Sequence, residues 1–416
     1  LIVTNIALEK RAASPDGKSF NLQNCGPRHT AFIEDGVVAK CFEGVNGGWE
    51  YYFSVEAPDI SGLGCQIDGL VERYCAACER LGLSPETAIF RRVFLSDVMN
   101  QVGRVRESPL LAETADNPLA VSIVQQPPSS GAKIALLAYH VESSDRITKR
   151  RLSRNHIVVE KKGMRHLWST RLCSSAGESF QPAGEQTEEI FENLSNTLSG
   201  EAGTLNENCV RTWVYVKGID AFYQDMVDSR RTLFQRYGMN KDTHFIASTG
   251  IEGACAHRYD LVAMDAYSVL GLAPKQVSYL NDFDNLCPTM DYNFTFERGT
   301  RVAYDDRTHS FISGTASIDN RGQVVHQGNV MAQLERTLAN IDGLLQSGSS
   351  RLADMMHMTV YLRDPTDYGI VNKYLKKRFP NMPIVIVQGA VCRPEWLIEI
   401  ECIAISTNNA PHLPEF

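Results

Sequence analysis

The stretch AVCRPEWLIEIE, residues 390–401, holds the residues best suited to chemistry. Read as a strand with period two, it sets Leu397, Glu399 and Glu401 on one face and Ile398, Ile400 and Cys402 on the other. A carboxyl group in so apolar a strand is desolvated, which favours its neutral form and suits it to deliver a proton near neutral pH. Glu399 is therefore the candidate general acid, against the alternative of a solvated sheet face. Arg393 is a candidate carboxylate clamp, since a guanidinium offers two parallel hydrogen bonds and keeps its charge when buried; a salt bridge at a rim is the competing reading. Cys392 reads as a pocket wall, with no His–Asp arrangement spaced to make it a nucleophile.

Further candidates lie upstream. Arg211 shares a strand face with Trp213 and Tyr215, where it either meets a substrate or ties units together. Ser313-Gly314-Thr315 and Ser248-Thr249-Gly250 end strands with small residues that let a ligand approach backbone N–H groups, or simply mark strand-to-loop transitions. His326 is placed to bond a ligand hydroxyl or to hold a loop. The ten histidines show no HExxH or paired-ligand spacing, so no metal is expected, and nucleotide-binding glycine motifs are absent. No cofactor is expected.

The elements that position these residues recur three times. A glutamine opens an amphipathic helix and a β-branched, aromatic strand follows: QIDGLVERYCAACERLG then RRVFLSD, QTEEIFENLSNTL then RTWVYVKGID, QLERTLANIDGLL then MTVYLRD. From that glutamine to the strand valine the separation is 27, 28 and 27 residues (66 to 93, 186 to 214, 333 to 360). Each unit continues through a second helical segment to a last strand, KIALLAYHV, DLVAMDAYSV or WLIEIECIAI, and begins with another strand signal, HTAFIEDGVVAKCF, RHLWSTRL or HSFISGTASI. The unit is thus roughly β-β-α-β-α-β-β, a sheet with helices on one face. Aligning the last strands on their first apolar residue puts Leu136 and Ala263 where the third unit has Glu399, and Ala138 and Asp265 where it has Glu401. An acid carried by one copy of three points to a site rather than to a demand of the fold. Expected domain bounds are 1–145, 146–290 and 291–416, packed about a pseudo-threefold axis by the faces bearing Trp213 and Tyr215.

With 416 residues, 43% hydrophobic and 22% charged, the chain has ample material for several cores. No apolar run reaches the length of a membrane span, and the start LIVTNIALEK lacks the features of a signal peptide, so a cytoplasmic location is the expectation. Eleven scattered cysteines, an odd number, read as reduced core residues; Cys75-Ala-Ala-Cys78 lies within a helical pattern. A net charge of −8 argues against a polyanion-binding surface, and the basic run RITKRRLSR (146–154) reads as a solvated linker. The expected partner is a small carboxylate metabolite, with no nucleic acid, no membrane and no need for further oligomerisation.

The unit resembles the YjgF/Rid superfamily through SGTAS (313–317), the helix from Gln333 to Leu345, TVYLRD (359–364) and the run from Cys392 to Glu401. The resemblance implies three tandem chorismate-mutase-like α+β domains forming an intramolecular pseudo-trimer, the first of them degenerate. The last two units look more particularly like chorismatases, through RTWVYVKGID (211–220), YQDMVDSRRTLF (223–234), FIASTGIEG (245–253), SGTASI followed by His326, and the Cys-Arg-Pro segment before Glu-x-Glu. It implies general-acid removal of pyruvate from chorismate or a related enolpyruvyl carboxylate, with the acid falling on Glu399. A Rid-type deaminase acting on enamines or imines, again with Arg393 on the substrate carboxylate, and a non-catalytic metabolite-binding protein are the alternatives.

Overall fold

A computed structural model describes residues 22–45, 47–174, 179–292 and 294–416. Among these residues three separate sheets, of seven, six and six strands, follow one another along the chain. Each has the same four-strand heart. In the third sheet Arg307–Ala316 pairs antiparallel with Ile398–Thr407, that strand with Met355–Leu362, and that one in parallel with Ile384–Gln388. Met164–Leu172, Val262–Leu270, Cys209–Val216 and Ala247–Glu252 repeat the order in the second sheet. Trp49–Glu56, Ile134–Glu142, Ala88–Leu95 and Ala120–Gln125 repeat it in the first. The parallel edge pair is closed each time by a helical crossover: Val98–Arg106, Ile219–Arg236 or Tyr368–Arg378.

The repeated glutamine has a structural purpose. Gln66, Gln186 and Gln333 lie buried near the start of the long helices Leu63–Arg80, Ala183–Gly200 and Val330–Ser347. Their side-chain oxygens accept from the backbone N–H of Lys133 (2.7 Å), Leu261 (2.8 Å) and Leu397 (2.9 Å), the residues that lead into the last strands. Each helix is thereby pinned to the strand that, in the third unit, carries Glu399 two residues later.

These bonds and the sheet registers correct the alignment of the first unit. Glu399 pairs with Tyr361, Ala263 with Tyr215 and Ala135 with Phe94, each one residue after the strand valine. The counterpart of Glu399 is therefore Ala135, not Leu136, and that of Glu401 is Leu137, not Ala138. Alignment on apolar character slipped because the residue bonded to Gln66 is a lysine; the bond is to backbone and is indifferent to the side chain.

Val93, Val214 and Val360 are fully buried, and the opposite faces of their strands turn inward. Trp213 and Tyr215 join a central cluster with Phe90, Phe94, Tyr361 and Ile403, while Val214 packs with the second unit's helices. Each sheet touches both others, through Met164–Leu172 on Ala120–Gln125, Ala247–Glu252 on Arg307–Ala316, and Met355–Leu362 on Trp49–Glu56. Two expectations change. The basic run is not merely a linker, because Thr148–Arg151 forms a hairpin with His156–Lys161 and extends the second sheet. The third sheet starts at Val277–Tyr279, ahead of the expected bound at 291, because this edge strand pairs with Gly299–Ala303. Among the described residues no helix is long and apolar enough to cross a membrane.

Candidate functional site

Where the second sheet's edge meets the third unit there is a narrow cleft lined by Tyr223, Arg230, Ser248, Gly250, Phe294, Phe296, Arg298, Gly314, Ala316, Ile318, Cys392, Trp396 and Glu399. Glu399 enters it from the strand Ile398–Thr407 and is 6% exposed. Burial, and after it the Glu401 carboxylate, push its pKa up to about 8, while Arg211 and Arg298 pull the other way. Glu399 is accordingly a neutral acid at pH 7.

Gly314 makes room for it, and Gly250 makes room for the Tyr223 ring beside it. A Cβ on Gly314 would collide with Glu399 Oε1, and one on Gly250 would come 2.9 Å from the Tyr223 ring. The Cys392 thiol, pushed up to about 12 by burial and by Glu399, is protonated and forms wall.

Two arginines that sequence reasoning did not single out supply positive charge. Arg230 lies on the helix Ile219–Arg236 within the stripe Ile219, Met226, Val227, Leu233, Phe234, and it is 1% exposed. Its Nε donates to Thr295 Oγ1 (3.0 Å) and its Nη1 to Ser248 Oγ (3.4 Å), leaving Nη2 without a hydrogen-bond partner among the described residues. Arg298 is also buried, at 6% exposed; its Nη2 donates weakly to the Cys287 carbonyl (3.4 Å), and its Nε has no partner among the described residues. Desolvation lowers the pKa of both, so each would gain from an anion delivered to it. The signal for Arg230 was a cation in the apolar stripe of an amphipathic helix.

The remaining candidates divide. Arg393 stands beside the cleft, stacked over Trp396 (4.9 Å) and Phe294 (5.7 Å), with Nη1 donating to the Gly322 carbonyl (2.9 Å). Arg211 turns instead to the junction of the three units, where its Nη2 donates to Glu401 Oε2 (2.7 Å) and to Thr249 Oγ1 (2.5 Å). Trp213 Nε1 donates to Glu401 Oε1 (2.8 Å), and Arg92 of the first unit pairs with the same oxygen (3.5 Å). Tyr215 donates to Asp265 Oδ2 (3.1 Å), which also pairs with Arg92 (3.3 Å). Thr249 links this network to the cleft by accepting from the Gly314 N–H (2.9 Å). Ser313 donates to the Glu297 carbonyl (2.6 Å) and accepts from the Ser248 N–H (2.9 Å), stitching two strands. Thr315 is fully buried and donates to the Ser313 carbonyl (2.9 Å). His326 is exposed, at φ 60°, in the loop before the helix Val330–Ser347, and is not among the lining residues.

The endoribonuclease L-PSP family profile matches residues 301–406, the third unit. A 96-residue stretch, 23% of this chain, is 31% identical to 3-aminoacrylate deaminase RutC of Acinetobacter baylyi and spans 76% of that protein. Over 77% of this chain and 93% of the other, the fold is similar to the crystal structure of a chorismatase, with a TM-score of 0.57 and 18% identity. A buried acid on the last strand and helices on one sheet face thus sit within a recognised frame: the chain belongs to the YjgF/Rid family, that of endoribonuclease L-PSP.

Proposed function

We propose that the cleft between the second and third units removes pyruvate from chorismate or a related enolpyruvyl carboxylate. The observation that carries this reading is a neutral, buried Glu399 sharing one cleft with two buried arginines that have unused donors. Arg230 and Arg298 hold substrate carboxylates. Glu399 delivers its proton to the enol methylene, and the adjoining carbon becomes oxocarbenium-like, stabilised by the carboxylate left behind. Water or a hydroxyl of the substrate adds to that carbon, returning a proton to Glu399. With water the hemiketal collapses to pyruvate and the ring alcohol. The fold likeness to a chorismatase supports this reading.

The second reading, supported by the relation to 3-aminoacrylate deaminase RutC, is hydrolysis of an enamine or imine, with one arginine on its carboxylate. Incubation with chorismate, and separately with freshly generated 2-aminoacrylate, distinguishes the two by pyruvate and ammonia release. Pyruvate from chorismate is the expected result. Ammonia with pyruvate from 2-aminoacrylate alone selects the deaminase, and neither product leaves a binding protein.

A further inference from the structure

The cleft between the first and second units has Ala263 in the place of Glu399, yet its border holds a different set of reactive side chains. The strand Met164–Leu172 ends with Leu172 opposite Met264, and Cys173 follows at once. The loop joining Ala247–Glu252 to Val262–Leu270 brings Cys255, His257 and Asp260 to the same place. Cys173 Sγ and Cys255 Sγ are 3.9 Å apart, and Cys255 Sγ lies 2.9 Å from Asp260 Oδ2. These three ligand atoms all fall within 4.8 Å of one another. His257 Nδ1 contacts the other carboxylate oxygen, Oδ1, at 3.1 Å. Cys255 and Asp260 are buried, and Cys173 is half-buried.

Two thiolates on a tetrahedral zinc ion, each about 2.3 Å from the metal, stand roughly 3.8 Å apart, close to the spacing between Cys173 and Cys255. We propose that Cys173, Cys255 and Asp260 Oδ2 bind one zinc ion, and that His257 orients the carboxylate through Oδ1. Two sulfurs and a carboxylate oxygen backed by a histidine are a donor set suited to zinc, and the fourth position is left for water. Binding releases the two thiol protons to solvent. Sequence spacing hides the set, because Cys173 and Cys255 are 82 residues apart.

The ion would fasten the strand end to a loop that is itself docked on the first unit. Ala254 O accepts from the Gln125 N–H (2.7 Å), and Glu252 O accepts from Gln126 Nε2 (2.8 Å). A disulfide is the rival use of the two sulfurs. It would need them to close from 3.9 Å to about 2.05 Å.

The test is metal content and coordination in the full chain. Elemental analysis after dialysis against metal-free buffer is expected to give one zinc per chain. Cobalt(II) added to the stripped protein is expected to show a thiolate-to-metal charge-transfer band, clearly weakened in Cys173→Ser, which keeps only the Cys255 thiolate. His257→Ala, changed at a partly exposed side chain, is expected to weaken cobalt affinity by about 10- to 100-fold with the circular dichroism spectrum unchanged, so the test survives if the cysteine variant fails to fold. A folded wild-type chain that takes up no metal, a thiolate band of undiminished intensity in Cys173→Ser, or a Cys173–Cys255 disulfide in non-reducing peptide maps would each overturn the proposal.

Discussion

Replacing Glu399 by glutamine is expected to make the protein more stable and less active together. Glu399 is a carboxyl group whose folded-state pKa, about 8, stands above the ordinary value of 4.5. Between those values the unfolded chain releases the proton and the folded chain keeps it. Stability from this group is therefore full below pH 4.5, falls as pH rises to about 8, and is level beyond. At pH 7 the cost to the folded state is about 3 kcal/mol. Glutamine has nearly the same shape and no proton to lose, so Glu399→Gln lacks that cost. Urea unfolding at pH 5 and pH 8 measures it: the mutant should gain on the wild type by about 3–4 kcal/mol across the interval, since every other ionisable group is shared. Turnover of chorismate should fall by about 10²–10⁴, and the decline of wild-type rate above pH 8 should be missing from the mutant's residual rate. Stability curves that run parallel would show that the folded protein does not hold this proton. Wild-type turnover in the mutant would remove Glu399 from the chemistry whatever its charge.

Three further outcomes follow from the same contacts. Gly314→Ala places a methyl group on Glu399 Oε1 and should cut turnover by about 10² through misplacement of the acid, with an unchanged circular dichroism spectrum; full activity would mean that the carboxyl group has room to move. Arg230→Lys keeps the charge but loses the planar fork, so affinity for a carboxylate ligand measured by calorimetry should drop by about 1.5–3 kcal/mol, and unchanged binding would take Arg230 out of the site. Glu401→Gln leaves Arg211 and Arg92 without their shared buried carboxylate and should cost about 3–5 kcal/mol in urea unfolding; a loss below about 1 kcal/mol would show that Asp265 alone holds the junction.

The fold was legible because its repeat is written in backbone-directed residues. Gln66, Gln186 and Gln333 keep their spacing to the strand valines since each must reach the start of a last strand, a distance that packing fixes. The site was legible where it lies on strands. Period two sends Glu399 to the cleft face, and the small residues Gly250 and Gly314 mark where a neighbour comes close. It was illegible where a residue serves two units at once. Arg211, Thr249 and Tyr215 share the inward sheet face with Glu401 or Asp265, and nothing in one strand's pattern tells a ligand's partner from a neighbouring unit's. Arg230 hid for the opposite reason, since its helix reads as amphipathic and an arginine in the apolar stripe passes for the edge of the polar face.

Joining the units in one chain changes what a cleft is able to become. In the cleft of the third and first units the registers put Ala135, Ile384 and Ile386 where Glu399, Ser248 and Gly250 stand in the second and third. Isoleucine in place of serine and glycine lines that cleft with apolar side chains, and alanine in place of glutamate removes the proton donor. The cleft of the first and second units has Ala263 and Ile123 at the corresponding places. Three identical subunits would bear the cost of a buried acid three times, about 3 kcal/mol each at pH 7 by the linkage above. A fused chain bears it once, and the two other clefts are free to carry other side chains, such as Cys173, Cys255 and Asp260 at the border of one of them. The asymmetry between Glu399 and its two alanine counterparts is thus what a functional burial predicts: a destabilising group kept at one place, with the glycine that accommodates it, Gly314, and discarded wherever the cleft has no use for it.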